Sequence, residues 1–163
     1  MDATRPPEFD LAMQEDTNRQ KVKRAEAVDA HERDRDFLSE PDVESLLAAA
    51  KKGRFGLRDH TMLLLAYRHG FRVTELVTLR RDAIDLDTGR VWVKRKKAGL
   101  STHQPLGGDE LRALRAYLCS RADSLPWAFL SSQGGQMTRQ NVNYLIREAG
   151  ERAGLGHVAS SHA

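Results

Sequence analysis

Arg72 stands where the chain changes direction. Met62-Leu63-Leu64-Leu65-Ala66-Tyr67 is an apolar run suited to a buried helix, and Gly70 is placed to stop it. Val73, Leu76, Val77 and Arg80 then fall at i, i+3, i+4 and i+7, which predicts a second helix beginning near Arg72. An arginine at a helix start is electrostatically disfavoured, because unpaired N–H groups already give that end a partial positive charge. An anion there is favoured, since the N–H groups and a guanidinium fork grip it together. Spacing alone leaves two readings open: a solvated arginine at a turn, or an anion-binding arginine whose broken local rule marks a site.

A second group of cations is Lys94-Arg95-Lys96-Lys97, at the tip of a hairpin predicted between Val91 and Leu106. Four cations in a row repel one another unless phosphates neutralise them, although edge lysines also serve to block strand-to-strand association. A third polar cluster, Arg139-Gln140-Asn141, follows Thr138 at a helix start. Such groups can hold backbone phosphates or reach base edges, while ordinary capping accounts for Thr138. The six histidines show no metal-ligand spacing, and neither a Ser-His-Asp context nor a glycine-rich phosphate loop is present. No metal and no cofactor are indicated.

The elements that must position these residues are mostly helical. Ser39-Glu40-Pro41-Asp42 reads as a capped helix start with Asp42 at the capping-box position. Val43, Leu46, Leu47 and Ala50 form its apolar stripe, and Gly53 ends it. A helix over Leu57–His69 and the Arg72 helix follow. Asp87-Thr88-Gly89 is a turn, Val91-Trp92-Val93 a strand, Ala98-Gly99 a reversal and Thr102–Leu106 the returning strand. Leu111, Leu114, Leu118 and Cys119 mark another helix capped near Asp109, with Cys119 packed inside it. Pro126–Leu130 is extended, Gly134-Gly135 turns, and Thr138 opens a helix through Ala149. The expected class is mainly α with a small antiparallel β-hairpin or sheet, α+β.

The chain has 163 residues, enough for one domain with a real core. Its longest apolar run is too short to span a bilayer, and its acidic N-terminus does not read as a signal peptide. A single cysteine excludes an internal disulfide framework and a cysteine-rich zinc cage. The cytoplasm is the default location. The net charge of +3 is uneven. Residues 1–36 hold seven Lys/Arg against ten Asp/Glu, a net of −3, so the remainder carries +6. A basic body is compatible with a polyanionic partner. Residues 1–36 also hold few large apolar side chains, and a disordered charged arm is expected there.

Gly70-Phe71-Arg72-Val73-Thr74-Glu75-Leu76, followed by Thr78-Leu79-Arg80 and Asp82-Ala83-Ile84-Asp85, resembles the first box of the tyrosine recombinases, the phage-integrase family. Phe37-Leu38-Ser39-Glu40, the basic hairpin and Phe129-Leu130-Ser131 before a helix succeed one another in family order. The likeness is to the short fimbrial-switch invertases in particular. It covers residues 37–163, which would be a partial catalytic domain of that family, its N-terminal part.

The resemblance implies site-specific DNA recombination, that is, strand cleavage and rejoining through a phosphotyrosine link. Arg72 would be the first catalytic arginine and Lys97 the hairpin lysine that protonates the leaving oxygen, with Lys96 one register away. Lys94, Arg95, Lys96, Arg139 and Gln140 would contact DNA. Double-stranded DNA and full-length recombinase protomers are the implied partners, with neither a membrane nor a small-molecule substrate. The family also needs a His-x-x-Arg box and a nucleophilic tyrosine. His162 stands about where that box would begin, whereas Tyr67, Tyr117 and Tyr144 precede it and read as helix packing. The resemblance therefore implies a chain cut short, without its second arginine and nucleophile and inactive alone. Two alternatives remain: a non-catalytic DNA-binding regulator of a recombination site, and a non-functional gene remnant.

Overall fold

The computed structural model describes residues 38–95 and 100–155. The expected N-terminal arm, Lys96, Lys97, the Ala98-Gly99 reversal and His162 lie outside the described residues. Helix α1 spans Glu40–Lys51. Ser39 Oγ accepts from the Asp42 N–H while the Asp42 carboxylate accepts from the Ser39 N–H, so the expected capping box is complete. Val43, Leu46, Ala49 and Ala50 are buried along one face.

Helix α2, Gly56–His69, is the structural centre. Thr61, Met62, Leu63, Leu64 and Leu65 are all buried, because α1 packs on one side of the helix and α4, Gly108–Cys119, on another. The Thr61 hydroxyl donates to the Leu57 carbonyl at 2.6 Å, which satisfies the one polar group in that run. Gly56 permits a close approach: a Cβ there would lie 2.0 Å from the Lys51 carbonyl oxygen. Gly70 ends α2 with φ of 58°, the left-handed conformation expected of a helix-terminating glycine.

The following helix is shorter than the spacing predicts. α3 covers only Val73–Val77, and Arg80 lies in an extended bridge with Trp127. Arg81 N–H donates to the Pro126 carbonyl and Ala128 N–H to the Leu79 carbonyl, each at 2.8 Å. The tertiary partner thus supplies the hydrogen bonds that another helical turn would have made. A short 3₁₀ turn at Arg81–Ala83 leads into the sheet.

The sheet has three antiparallel strands: β1 Ile84–Asp85, β2 Arg90–Val93 and β3 Thr102–Pro105. The register pairs Val91 with Gln104, Trp92 with His103 and Val93 with Thr102. Val91 and Val93 enter the core, whereas Trp92 points the other way and packs against the His103 ring at 4.6 Å. β1 is an addition to the expected hairpin. It forms because Asp85 Oδ1 accepts from the Asp87 and Thr88 N–H groups and tightens the turn into β2.

In α4, Leu114 and Tyr117 are buried, and Tyr117 stacks on Phe129 with ring centroids 5.6 Å apart. Cys119, expected inside this helix, is exposed at its last position. Tyr67 is likewise exposed on α2, not packed. Helix α5, Arg139–Arg152, starts at a Thr138 cap and packs Val142, Leu145 and Ala149 toward α1 and α3. The shared core joins Met62, Leu65, Leu76, Val91, Leu114, Phe129 and Val142 across all these elements.

Candidate active site

The expected arginine at the start of α3 is held by a carboxylate. Glu75 is the third residue of α3, and its Oε2 accepts from the Arg72 N–H at 3.1 Å. This is one half of a capping box; a guanidinium cannot accept, so the reciprocal half is not made. Instead Arg72 Nη1 donates to Glu75 Oε1 at 3.1 Å. The Arg72 side chain stays 56% exposed while that of Glu75 is 1% exposed. An outward guanidinium is thereby fixed from beneath. With only five residues, α3 has little macrodipole to offer an anion, so the site rests on Arg72 and its clamp.

Arg95 converges on the same carboxylate from the sheet. Its Nη1 donates to Glu75 Oε2 at 2.8 Å and to the Gly70 carbonyl at 2.9 Å, and its Nη2 to the His69 carbonyl at 3.0 Å. The Arg95 side chain is 21% exposed. Burial acts to raise the Glu75 pKa, but the hydrogen bonds from the Arg72 N–H, from Arg95 and from the Arg72 guanidinium outweigh it. Together they hold Glu75 below the usual carboxylate value. Glu75 therefore remains ionised between two guanidinium groups.

Lys94, one residue earlier on the hairpin, is exposed. It lines a cavity of about 320 Å³ together with Phe71, Glu75, Leu79, Trp92 and His103. The structure thus gathers Arg72, Glu75, Lys94 and Arg95 into one region. Lys97 and Lys96 follow in the chain but lie outside the described residues. Arg139 and Gln140 are exposed in the first turn of α5. Asn141 beside them is committed to capping, its Oδ1 accepting from the Thr138 N–H at 2.9 Å.

A buried polar chain supports the clamp from behind. His69 Nδ1 lies 2.7 Å from Gln104 Oε1 on β3, and His69 Nε2 lies 2.9 Å from Glu110 Oε1 on α4. The His69 ring meets Phe71, the neighbour of Arg72, edge to face at 6.0 Å. Glu75, His69, Gln104 and Glu110 have no role in the sequence reading. Only Glu75 carried a usable signal, its capping-box spacing from Arg72, which the unusual N-cap residue concealed.

Among the described residues, no three His, Cys, Asp or Glu side chains come together as a metal-binding group. No helix of these residues is long and apolar enough to cross a membrane.

A mainly helical domain with a three-stranded sheet, carrying a clamped arginine at a helix start beside a basic hairpin, defines a class that comparison with known proteins identifies. Residues 36–163 match the phage integrase family, and the chain belongs to it. The type 1 fimbriae regulatory protein FimE of Escherichia coli K12 is 38% identical over 133 residues, covering 78% of this chain and 66% of that protein. FimB of the same strain is 38% identical over 138 residues, covering 82% and 68%. The tyrosine recombinase XerD of Pseudomonas aeruginosa is 40% identical over 134 residues, covering 77% and 44%. The crystal structure of XerA recombinase superposes with a TM-score of 0.64 at 24% identity, covering 74% of this chain and 43% of that one, and shares the fold. The chain spans about two thirds of the length of its fimbrial relatives and under half that of the longer recombinases.

Proposed function

We propose that this chain acts on double-stranded DNA as part of a site-specific recombinase, supplying the arginine and lysine side of the cleavage site. The observation that carries the reading is the Arg72–Glu75–Arg95 clamp. It presents one outward guanidinium at a fixed position, and among the described residues no protein carbonyl fills its remaining donors. A guanidinium so held suits a phosphate whose oxygens gain negative charge during displacement. In the reaction, a tyrosine oxygen attacks the scissile phosphorus, the P–O bond to the 5′ oxygen breaks, and that oxygen takes a proton. Lys97 is the residue proposed to give it. The phosphotyrosine bond conserves the energy for rejoining, so the chemistry consumes no nucleotide. Lys94, Arg139 and Gln140 are proposed as DNA contacts. Full-length recombinase protomers are the proposed partners, and the cytoplasm the proposed location.

A second reading, DNA binding without cleavage, is favoured by Tyr144, whose hydroxyl donates to Glu148 at 2.8 Å and is not offered as a nucleophile. Both readings require binding. Duplex DNA should bind with log K falling by roughly 0.9 per unit of log salt for each phosphate neutralised. Lys94→Ala and Lys97→Ala should each remove about one such contact from the slope. Salt-independent binding, or none at low salt, would sink both readings.

A further inference from the structure

We propose that Arg95 is a positioning residue for Arg72 and does not contact a phosphate. The inference rests on the reading of Arg72 as a DNA-phosphate ligand and deepens it. The hairpin tip reads in sequence as four equivalent cations, yet the structure separates the first two. Lys94 is exposed, whereas the Arg95 guanidinium faces inward onto three acceptors contributed by α2, the residue that ends it and α3. Two of these are the His69 and Gly70 carbonyls, end-of-helix groups that lack helical partners and favour a cation. The third is Glu75 Oε2, the oxygen beside the one that holds Arg72. The backbone N–H of Arg95 is also tied, donating to Ser101 Oγ at 3.1 Å across the hairpin.

Only a planar fork spans such a set; a lysine ammonium is a point charge and cannot hold three acceptors in these directions. If Arg95 turned outward to a phosphate, it would give up three charge-assisted bonds and leave the buried carboxylate to Arg72 alone. Arg72 would then be drawn inward as the remaining counter-ion. Arg95 therefore fixes which oxygen of Glu75 faces Arg72, and so where the exposed guanidinium stands.

The test is a double-mutant cycle with two readouts on the full chain. The first is duplex DNA affinity against salt for wild type, Arg72→Ala, Arg95→Gln and the double variant, with thermal melts to establish folding. Arg72→Ala should reduce the salt slope by about 0.9, and Arg95→Gln should lower affinity and reduce the slope by no more than that same amount, because it acts by drawing Arg72 off its phosphate. Adding Arg72→Ala to Arg95→Gln should then cost little more, so that two losses of roughly tenfold do not multiply. The second readout is the carboxyl resonance of Glu75. Its titration midpoint should move up in Arg95→Gln and in Arg95→Lys, and stay put in Lys94→Ala. A slope that falls by about 1.8 in the double variant, twice the loss in Arg72→Ala, multiplicative losses, or an unmoved Glu75 midpoint would each overturn the positioning role. Absence of DNA binding by wild type would instead defeat the functional reading, and a shifted Glu75 midpoint would still identify the anchor.

Discussion

His69 Nε2 and Glu110 Oε1 lie 2.9 Å apart with both side chains buried, joining the last turn of α2 to the first turn of α4. Although close, the two atoms are not aligned as a hydrogen bond. The other Glu110 oxygen accepts from the Gly107 N–H at 2.6 Å, so one carboxylate caps α4 and faces a ring from α2. Glu110→Ala should remove the cap on the Gly107 N–H and leave a gap beside the His69 ring, at a cost of about 2 kcal/mol. A double variant with His69→Phe and Glu110→Leu should recover part of that loss, because it removes both buried polar partners together. Urea denaturation of the three proteins checks this, and a double variant less stable than Glu110→Ala would contradict it.

Glu75 makes stability depend on pH in a defined direction. Its folded pKa lies below the ordinary value, so the native state binds fewer protons at this group than the unfolded chain does. Its contribution is complete above the unfolded pKa and disappears as pH falls through the lowered folded value. Glu75→Gln should therefore be less stable than wild type at neutral pH, by about 3 kcal/mol for a broken buried pair. The two should converge in acid, where wild type is protonated as well. Denaturation midpoints at several pH values give the comparison, and a difference that stays constant into acid would assign the effect to packing alone.

What the sequence revealed, and what it hid, divides along the range of the interactions. The Ser39 and Thr138 caps, the Gly70 stop and the Asp87-Thr88-Gly89 turn are set by neighbours within four residues, and all are in place. The end of α3 is set by backbone pairing with residues 126–128, nearly fifty positions away, so periodicity carried the helix too far. Arg72 was legible as an oddity of one helix start. Arg95 was not, since Lys94-Arg95-Lys96-Lys97 reads as uniform charge until the fold brings the Arg95 guanidinium onto the His69 and Gly70 carbonyls and Glu75, at least 20 positions away in sequence. Cys119 reads as part of an apolar helix because Leu114 and Leu118 share its periodicity, yet it falls at the helix end, where α4 has turned it to the exterior.

Two glycines should respond differently to alanine. At Gly70 a Cβ meets nothing within 4 Å, so Gly70→Ala carries only the cost of a left-handed conformation, about 1 kcal/mol. At Gly56 the backbone is unstrained but the new Cβ would lie 2.0 Å from the Lys51 carbonyl oxygen, and the α1–α2 junction must move. Gly56→Ala should cost roughly 2 kcal/mol or more. Equal destabilisation in urea would show that the junction yields more readily than its geometry implies.

The three tyrosines in these 163 residues are poor candidates for the DNA-cleaving nucleophile, and the reason is chemical. Attack on phosphorus requires the phenol to lose its proton, which a lowered pKa or an adjacent base assists. Tyr117 goes the other way: burial pushes its pKa up, and its ring is stacked on Phe129. Tyr144 is accessible, but its hydrogen bond to Glu148 and the negative charge of that carboxylate also push its pKa up. Its ring lies in a groove with Arg54, Arg58 and Arg152, not in the cavity that Glu75 and Lys94 line. Tyr67 is on the exposed face of α2, and Arg68 beside it is paired with Asp109 at 2.8 Å. The polypeptide 1–163 incubated alone with a labelled, nicked suicide substrate should therefore give no band that survives denaturation. A band abolished by Tyr144→Phe would show that Glu148 serves as a base and not as a restraint. If a full-length relative is added and a band appears, Arg72→Ala in this chain decides its part. Loss of roughly a hundredfold in adduct formation is expected when an electrostatic stabiliser of the transition state is removed, and an unchanged band would exclude Arg72 from the reaction.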